Sequence, residues 1–327
     1  MNMPSPVPAS PSWDARQKRM IELIGQLAPN PGFTLAPLDG VKFMRANQSM
    51  PRTPVMYEPS ICVIVQGRKR GYLGDEMFVY DAQQYLVLSV PLPFESETEA
   101  SEKEPLLGMA IRIDLSVVAE LLMALDQAGS YAQVMPKGIY ATPLDDCLGD
   151  AVQRLLEVLA GPAVEAKLLG PSIMREIYFR VLTGSQGGAL RAALAHHSQF
   201  GKVAKALRRI HHEFNDDLDV AALASEAGMS PAAFHAHFKA VTQTSPIQYL
   251  KTTRLHRARL MMVQDGLNAA VAATRVGYES ASQFSREFKR LFGRSPVEET
   301  RFMKALLVET QEPRAPRRVE GAYVTAQ

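Results

Sequence analysis

Two stretches of this 327-residue chain repeat one pattern: "GMSPAAFHAHFKAVTQTSP" at 228–246 and "GYESASQFSREFKRLFGRSP" at 277–296. Phe234 and Phe284, Phe238 and Phe288, Lys239 and Lys289, and Ser245-Pro246 and Ser295-Pro296 are separated by fifty residues, and Gly228 and Gly277 by forty-nine. Each copy follows the same plan: an Ala-rich segment ("VAALASEAG", "AAVAATRVG"), a glycine where the chain must turn sharply, then a Ser-initiated second helix. Ser230 before Pro231 has the form of an N-cap followed by proline at the first helical position. Small residues let two short helices cross closely, so the pattern predicts a helix-turn-helix in each copy, with the second helix offered to a groove.

Helical geometry, at about 100° per residue, separates the faces of that second helix. Phe284, Phe288 and Leu291 fall on one side and Ser282, Arg286 and Lys289 nearly opposite. In the earlier copy the outward residues are Ala232, Ala236 and Lys239, with His235 on a flank. An arginine in the first half of such a helix can reach guanine O6 and N7, and a lysine one turn later is better placed for a phosphate. Between the copies "PIQYLKTTRLHRARLMMVQ" reads as a helix of 17–19 residues, about 26–29 Å long. Such a strut would set two recognition helices close to one turn of B-DNA apart, about 34 Å. Lys251, Arg254, Arg257 and Arg259 add positive charge along it, and Val203, Leu207, Ile210 and Phe214 give the preceding helix an apolar face to place beneath the module.

Charge supports this division. The net charge of +2 hides 17 Lys+Arg against 21 Asp+Glu over residues 1–195, and 19 against 13 over 196–327. The basic half is the polyanion binder. The length suits two domains. From Val41 the pattern is that of short strands, "VKFMRA", "SICVIVQG", "KRGYL", "MFVYD", "QYLVLSV" and "LLGMAIRID", with a hairpin turn at Gly74-Asp75. Close spacing of short strands predicts a small antiparallel barrel or sandwich. Helical periodicity follows in "LSVVAELLMALDQ", "LDDCLGDAVQRLLEVLA" and "PSIMREIYFRVLTG", where Pro171 suits a first turn and Gly184 a stop.

On these motifs the chain resembles the AraC/XylS family of transcription regulators. "RVGYESASQFSREFKRLFGRSP" is similar to that family's signature region and "GMSPAAFHAHFKAVTQTSPIQYL" to its first repeat, while "SICVIVQGRKRGYLGDEMFVYDAQQYLVLSVPLPFESETEAS" and "MREIYFRVLTG" resemble the sensor half of one subgroup. The resemblance implies an α+β chain: a cupin-like small antiparallel β-barrel with flanking helices, then an all-α tandem helix-turn-helix domain. It also implies base-reading positions at Ala232, His235 and Ala236 in the first copy and at Ser282, Gln283 and Arg286 in the second, with Lys239, Lys289 and Arg290 beside them. Ala232 and Ala236 cannot donate hydrogen bonds, so the second copy is expected to do more of the reading. The expected divisions are a disordered 1–12, a sensor or oligomerisation domain 13–190, a linker 191–201, the DNA-binding domain 202–304 and a disordered tail 305–327. The expected partners are promoter DNA, RNA polymerase, a small-molecule effector and a second copy of the chain, with no cofactor, no metal, no catalytic residue and no membrane, in the cytoplasm. The apolar face of "LDDCLGDAVQRLLEVLA" fits a dimer interface and a monomer core equally.

Other features have plainer readings. His196-His197, His211-His212 and His235-x-His237 lack the surrounding cysteines or carboxylates of a zinc site, and the first half has no histidine for a metal-dependent cupin. The run Glu95, Glu97, Glu99, Glu102, Glu104 reads as a solvated loop. Cys62 reads as a core residue, with reaction toward an oxidant or electrophile as the sharper alternative; with Gln66 and Lys69 it forms the candidate effector site. The competing functions are a barrel enzyme carrying DNA-binding modules, and a regulator whose first half only oligomerises.

Overall fold

The computed structural model describes residues 11–128, 137–194 and 198–309. Helix α1 (Pro11–Leu27) leads into nine strands: β1 (Gly32–Leu35), β2 (Val41–Ala46), β3 (Met50–Tyr57), β4 (Ser60–Gln66), β5 (Arg68–Leu73), β6 (Glu76–Asp81), β7 (Gln84–Leu88), β8 (Leu92–Glu99) and β9 (Leu106–Arg112). Helix α2 (Leu115–Ala128) and strand β10 (Ile139–Pro143) follow, then α3 (Asp146–Ala160), α4 (Ala163–Thr183) and α5 (Gly187–Leu194). The strands form two antiparallel sheets, ordered β1-β2-β9-β4-β7-β10 and β3-β8-β5-β6. They do not pair into one closed ring, so the expected barrel is an open two-sheet form of it.

The unbroken apolar run of β4 has a simple cause. Ile61, Val63 and Val65 face the helices, packing with Leu23, Leu155 and Ile177, while Cys62 and Ile64 face the second sheet. A strand covered on both sides has no reason to alternate. Arg16 clamps α1 to α3 through Asp146 and Asp150, and the Tyr178 hydroxyl donates to the Arg112 carbonyl at 2.6 Å, fixing α4 to β9.

Several expectations need correction. Only the end of the glutamate run is a loop: Glu102 and Glu104 lie exposed beyond β8, whereas β8 itself turns Leu92, Phe94, Ser96 and Thr98 inward and Glu95, Glu97 and Glu99 outward. Those carboxylates meet Arg52, Arg68 and Arg70 on the neighbouring strands. Pro171 lies inside α4 rather than in its first turn, because Ala163–Gly170 is itself helical and the proline removes only one backbone donor. The apolar face of α3, Leu148, Val152, Leu155, Leu156 and Leu159, is spent in the monomer core. Helix also occupies residues 11–12, 191–194, 199–201 and 305–309, where linker or disorder is expected from the sequence.

Seven helices complete the chain: α6 (Gln199–His212), α7 (Val220–Glu226), α8 (Pro231–Thr242), α9 (Pro246–Gln264), α10 (Ala269–Arg275), α11 (Ala281–Phe292) and α12 (Pro296–Glu309). Val203, Leu207 and Ile210 of α6 pack beneath the first copy as expected. Phe214 does not: it lies beyond the end of α6 and packs on the core of the second.

Candidate nucleic-acid interface

Each copy folds as its sequence dictates. The turn between α7 and α8 passes through Gly228 at φ 60° and that between α10 and α11 through Gly277 at φ 82°, a region that costs any residue with a side chain. Gly277 has a second constraint, since a Cβ there would lie 2.8 Å from the Asn215 carbonyl oxygen. Ser230 caps α8 and Ser280 caps α11, each hydroxyl accepting the backbone N–H three residues on. Phe234 and Phe238, and Phe284 and Phe288, are fully buried with ring centroids 5.5 Å and 5.4 Å apart.

The opposite faces are open. Ala232, His235, Ala236 and Lys239 on α8 and Ser282, Gln283, Arg286, Lys289 and Arg290 on α11 are all exposed. Lys239, Arg286, Lys289 and Arg290 have no ion-pair partner among the described residues. The Gln283 amide donates to Glu287 at 3.2 Å, one turn along. Glu287 also accepts from Lys251 at 2.9 Å and from the Tyr278 hydroxyl at 2.7 Å, and these three donors hold its carboxyl below the usual range against the opposing effect of burial. Glu287 is therefore a bracket that positions α11.

Helix α9 spans 19 residues, about 28 Å, in accord with the expected strut. Its cations are not free for a polyanion. Lys251 serves Glu287; Arg254 donates to the carbonyls of Phe214, Asp216 and Gly277 at 2.7, 2.9 and 3.1 Å. Arg257 pairs with Glu58 at 2.9 Å, and Arg259 reaches Glu299 at 3.3 Å and the Pro54 carbonyl at 3.1 Å. These partners sit up to 205 residues away in sequence, which is why a count of charges along the strut misassigns them.

The N-terminal half meets both copies. Tyr249 on α9 is fully buried; its hydroxyl donates to the Pro91 carbonyl at 2.7 Å and lies 2.7 Å from His211 Nε2, so it accepts from that nitrogen. His211 Nδ1 lies 3.8 Å from the Glu58 carboxylate, which His211 and Arg257 together hold below the usual carboxylate range. Nothing in the repeat pattern marked Glu58, His211 or Tyr249 as a junction.

Of the candidate effector residues, Cys62 is 1% exposed and burial pushes its thiol up, which suits a core residue better than a reactive one. Lys69 is buried as well, with its ammonium 3.1 Å from the Tyr57 hydroxyl and near enough to Cys62 for its charge to be felt there. Gln66 is turned away and donates to the Pro105 carbonyl at 2.9 Å. Arg68 and Arg70 are taken by Asp81, Glu97 and Glu99. No group of three or more metal-ligating side chains occurs among the described residues; His196 and His197 lie outside them.

Residues 37–189 match the family described as "AraC-type transcriptional regulator N-terminus", and residues 223–301 match a helix-turn-helix domain family. The chain is 34% identical over 95 residues to the HTH-type transcriptional regulator AlkR of Acinetobacter baylyi, covering 29% of this chain and 31% of that protein. It is 42% identical over 79 residues to the RCS-specific HTH-type transcriptional activator RclR of Escherichia coli, covering 24% and 28%. The alignments thus span about a third of the length of these relatives. Among solved structures, unsaturated fatty acid bound ToxT from Vibrio cholerae superposes with a TM-score of 0.54 at 14% identity, over 83% of this chain and 96% of that one. An apo form of ToxT from the same organism does so with 0.53 at 10% identity, over 79% and 96%. At such identity the likeness is one of fold, and it embraces both halves of the chain.

Proposed function

The chain belongs to the AraC-type transcriptional regulators, and from that premise we propose that it binds promoter DNA with α8 and α11 in two successive major grooves, reading sequence chiefly through α11. The observation that carries this is the contrast between two equally exposed helix faces. One offers Ala232, His235, Ala236 and a single lysine, and the other offers Ser282, Gln283, Arg286, Lys289 and Arg290. On this reading Arg286 donates to a guanine edge, Gln283 and Ser282 to neighbouring bases, and Lys289, Arg290 and Lys239 to phosphates. Ala232, His235 and Ala236 of α8 contribute contact and shape more than hydrogen bonds.

The chain acts as a regulator and not as an enzyme, in the cytoplasm, with RNA polymerase as the partner of the bound complex. No helix among the described residues is long and apolar enough to cross a membrane. The first half responds to a small molecule, and Lys69, buried with its ammonium on the Tyr57 hydroxyl and with no carboxylate partner among the described residues, is the residue there best suited to an acidic group. A homodimer would form through α4, whose Val164, Leu168 and Leu169 are exposed, in place of the buried face of α3.

Operator binding by single-residue variants tests this reading. Arg286→Ala should cost about 1–3 kcal/mol and relax preference at one base position, whereas Lys289→Ala should weaken all sequences alike and lower the salt slope by about one. Equal, salt-independent losses in both would refute the assigned roles.

A further inference from the structure

The two units repeat over three helices rather than two. Val203, Ala206 and Ile210 of α6 lie fifty-two residues before Leu255, Ala258 and Met262 of α9, and each set is buried in the core of its own unit. This register makes Lys202 the counterpart of Arg254 and Lys205 that of Arg257. Both arginines are spent within the molecule, Arg254 on the carbonyls of Phe214, Asp216 and Gly277 and Arg257 on the Glu58 carboxylate. Neither lysine has an ion-pair partner among the described residues.

Lys202, Lys205 and Arg209 stand at i, i+3 and i+7, one stripe along α6 that faces the end of α7, where Leu223, Glu226 and Ala227 complete a shallow recess. Arg209 is paired there with Glu213 and Glu226, so the two lysines are the unpaired cations of the stripe. Lys205 is exposed, and the Lys202 ammonium lies at the turn itself, since a Cβ on Gly228 would stand 3.8 Å from its nitrogen. Gly228 comes two residues before Ser230, the cap of α8. The first residues of a recognition helix are the ones that enter the major groove, which puts this charge beside the strand bordering that groove.

A contact to backbone phosphate asks for charge and reach, and a lysine on a flexible stem supplies both without the fixed geometry that base reading demands. Such a contact suits a unit whose recognition helix presents Ala232 and Ala236.

We infer that Lys202 and Lys205 hold the phosphates bordering the groove that α8 enters, so that the first unit grips DNA from its scaffold helix while the second does so from α11. The inference rests on the chain binding DNA through both units. It assigns the first unit affinity and register that do not depend on sequence, and leaves discrimination to the second.

The test uses the full chain, a duplex that the wild type selects from a random-sequence pool, and an unrelated duplex of equal length, with affinity followed over a salt series. The double variant Lys202→Gln/Lys205→Gln should lower the slope of log affinity against log salt by about two and weaken both duplexes alike, about tenfold. Repeat selection with that variant should return the same sequence. Lys18→Gln/Lys167→Gln removes the same charge from exposed positions of the N-terminal half and should leave the slope as it is. An unchanged slope in the Lys202/Lys205 variant, an equal drop in the Lys18/Lys167 variant, or a changed selected sequence would overturn the inference while the DNA-binding reading stands. A wild-type chain that selects no sequence and binds no duplex would overturn that reading, and the inference with it.

Discussion

In the first helix-turn-helix unit Phe234, Phe238, Val241 and Tyr249 join a core that runs on into Leu86, Leu92 and Phe94 of the sensor sheets. In the second, Phe284, Phe288 and Phe292 close a separate core with Leu255, Met262 and Tyr278. Their outward faces differ the other way, since the unit with its own core carries three unpaired cations, Arg286, Lys289 and Arg290, and the unit fused to the N-terminal sheets carries one, Lys239, beside Ala232, His235 and Ala236. The pairing of features has a physical sense. A helix whose seating depends on another domain is a poor place for base contacts that demand fixed geometry, and a good place for a contact that an effector must tune.

Truncating equivalent phenylalanines breaks the comparison most severely. Phe238→Ala and Phe288→Ala each remove a fully buried ring and should each cost about 3–5 kcal/mol. The difference lies in what unfolds with them. Phe238→Ala should lower the thermal transition of the sensor sheets as well, because they share its core, whereas Phe288→Ala should leave that transition in place and split off an earlier one. Scanning calorimetry with hydrogen exchange on β7 and β8 reads this directly, and a sensor transition equally lowered by both would mean that the two cores are not separate.

The paired tyrosines give a smaller contrast. Tyr249→Phe strips a hydroxyl from the Pro91 carbonyl and from His211, both enclosed, and should cost about 1–3 kcal/mol. Tyr278→Phe removes one of three donors to Glu287, which keeps Lys251 and Gln283, and should cost under about 1 kcal/mol by urea denaturation.

These tyrosines also mark how far the sequence could be read. The tandem units were legible because their constraints are local: a cap, a glycine at positive φ and a phenylalanine one turn from the next all fall within twenty residues. Ser282, Arg286 and Lys289, with Ala232, Ala236 and Lys239, followed from the same periodicity, whereas Gln283 came from the family resemblance. The junction was not legible, because Glu58, Pro91, His211 and Tyr249 meet only after the sheets have formed. Strand β8 escaped notice although its alternation was present, since its inward Ser96 and Thr98 are polar and its outward glutamates resemble a loop. The cations of α9 were misjudged for a related reason: helical spacing tells which way Arg254, Arg257 and Arg259 point, not that carbonyls and carboxylates from distant segments await them.

Acid should separate the units by the groups that titrate in each. His256, buried beside Arg259 and Phe292, is held well below its ordinary value by burial first and then by the Arg259 charge. Its folded form therefore stays neutral while the unfolded chain takes up a proton below about pH 6.5, so stability falls with pH from there, by at most about 1.4 kcal/mol per unit. Glu58, at the junction of the first unit, has its value lowered, chiefly by His211 and also by Arg257; its contribution is present above the ordinary carboxylate range and is lost as pH falls through the lowered value. Because Glu58 is about half exposed, that second contribution is small. The region around α9 and α11 should thus loosen between about pH 6.5 and 5, and the Glu58 junction only in stronger acid. Replacement His256→Phe should flatten the first decline and leave the second, as followed by denaturation at stepped pH.

The smallest contrast is at the ends of the recognition helices, where the same left-handed backbone is occupied by different residues. Gln243 ends α8 at φ 58° and Gly293 ends α11 at φ 76°. Only glycine adopts this region freely, and a side chain there costs about 1 kcal/mol. A Cβ on Gly293 meets nothing within 4 Å, so Gly293→Ala should lower stability by about 1 kcal/mol through backbone strain alone. Gln243→Gly should relieve that strain, but it also removes the side chain that packs on the Gly74 turn of the sensor. If that packing is what retains glutamine, the substitution should raise the stability of the helix-turn-helix units by less than about 1 kcal/mol while weakening the response of operator affinity to conditions that act on the sensor. A full gain in stability with an undiminished response would mean that the first unit is no more closely tied to the sensor at this point than the second.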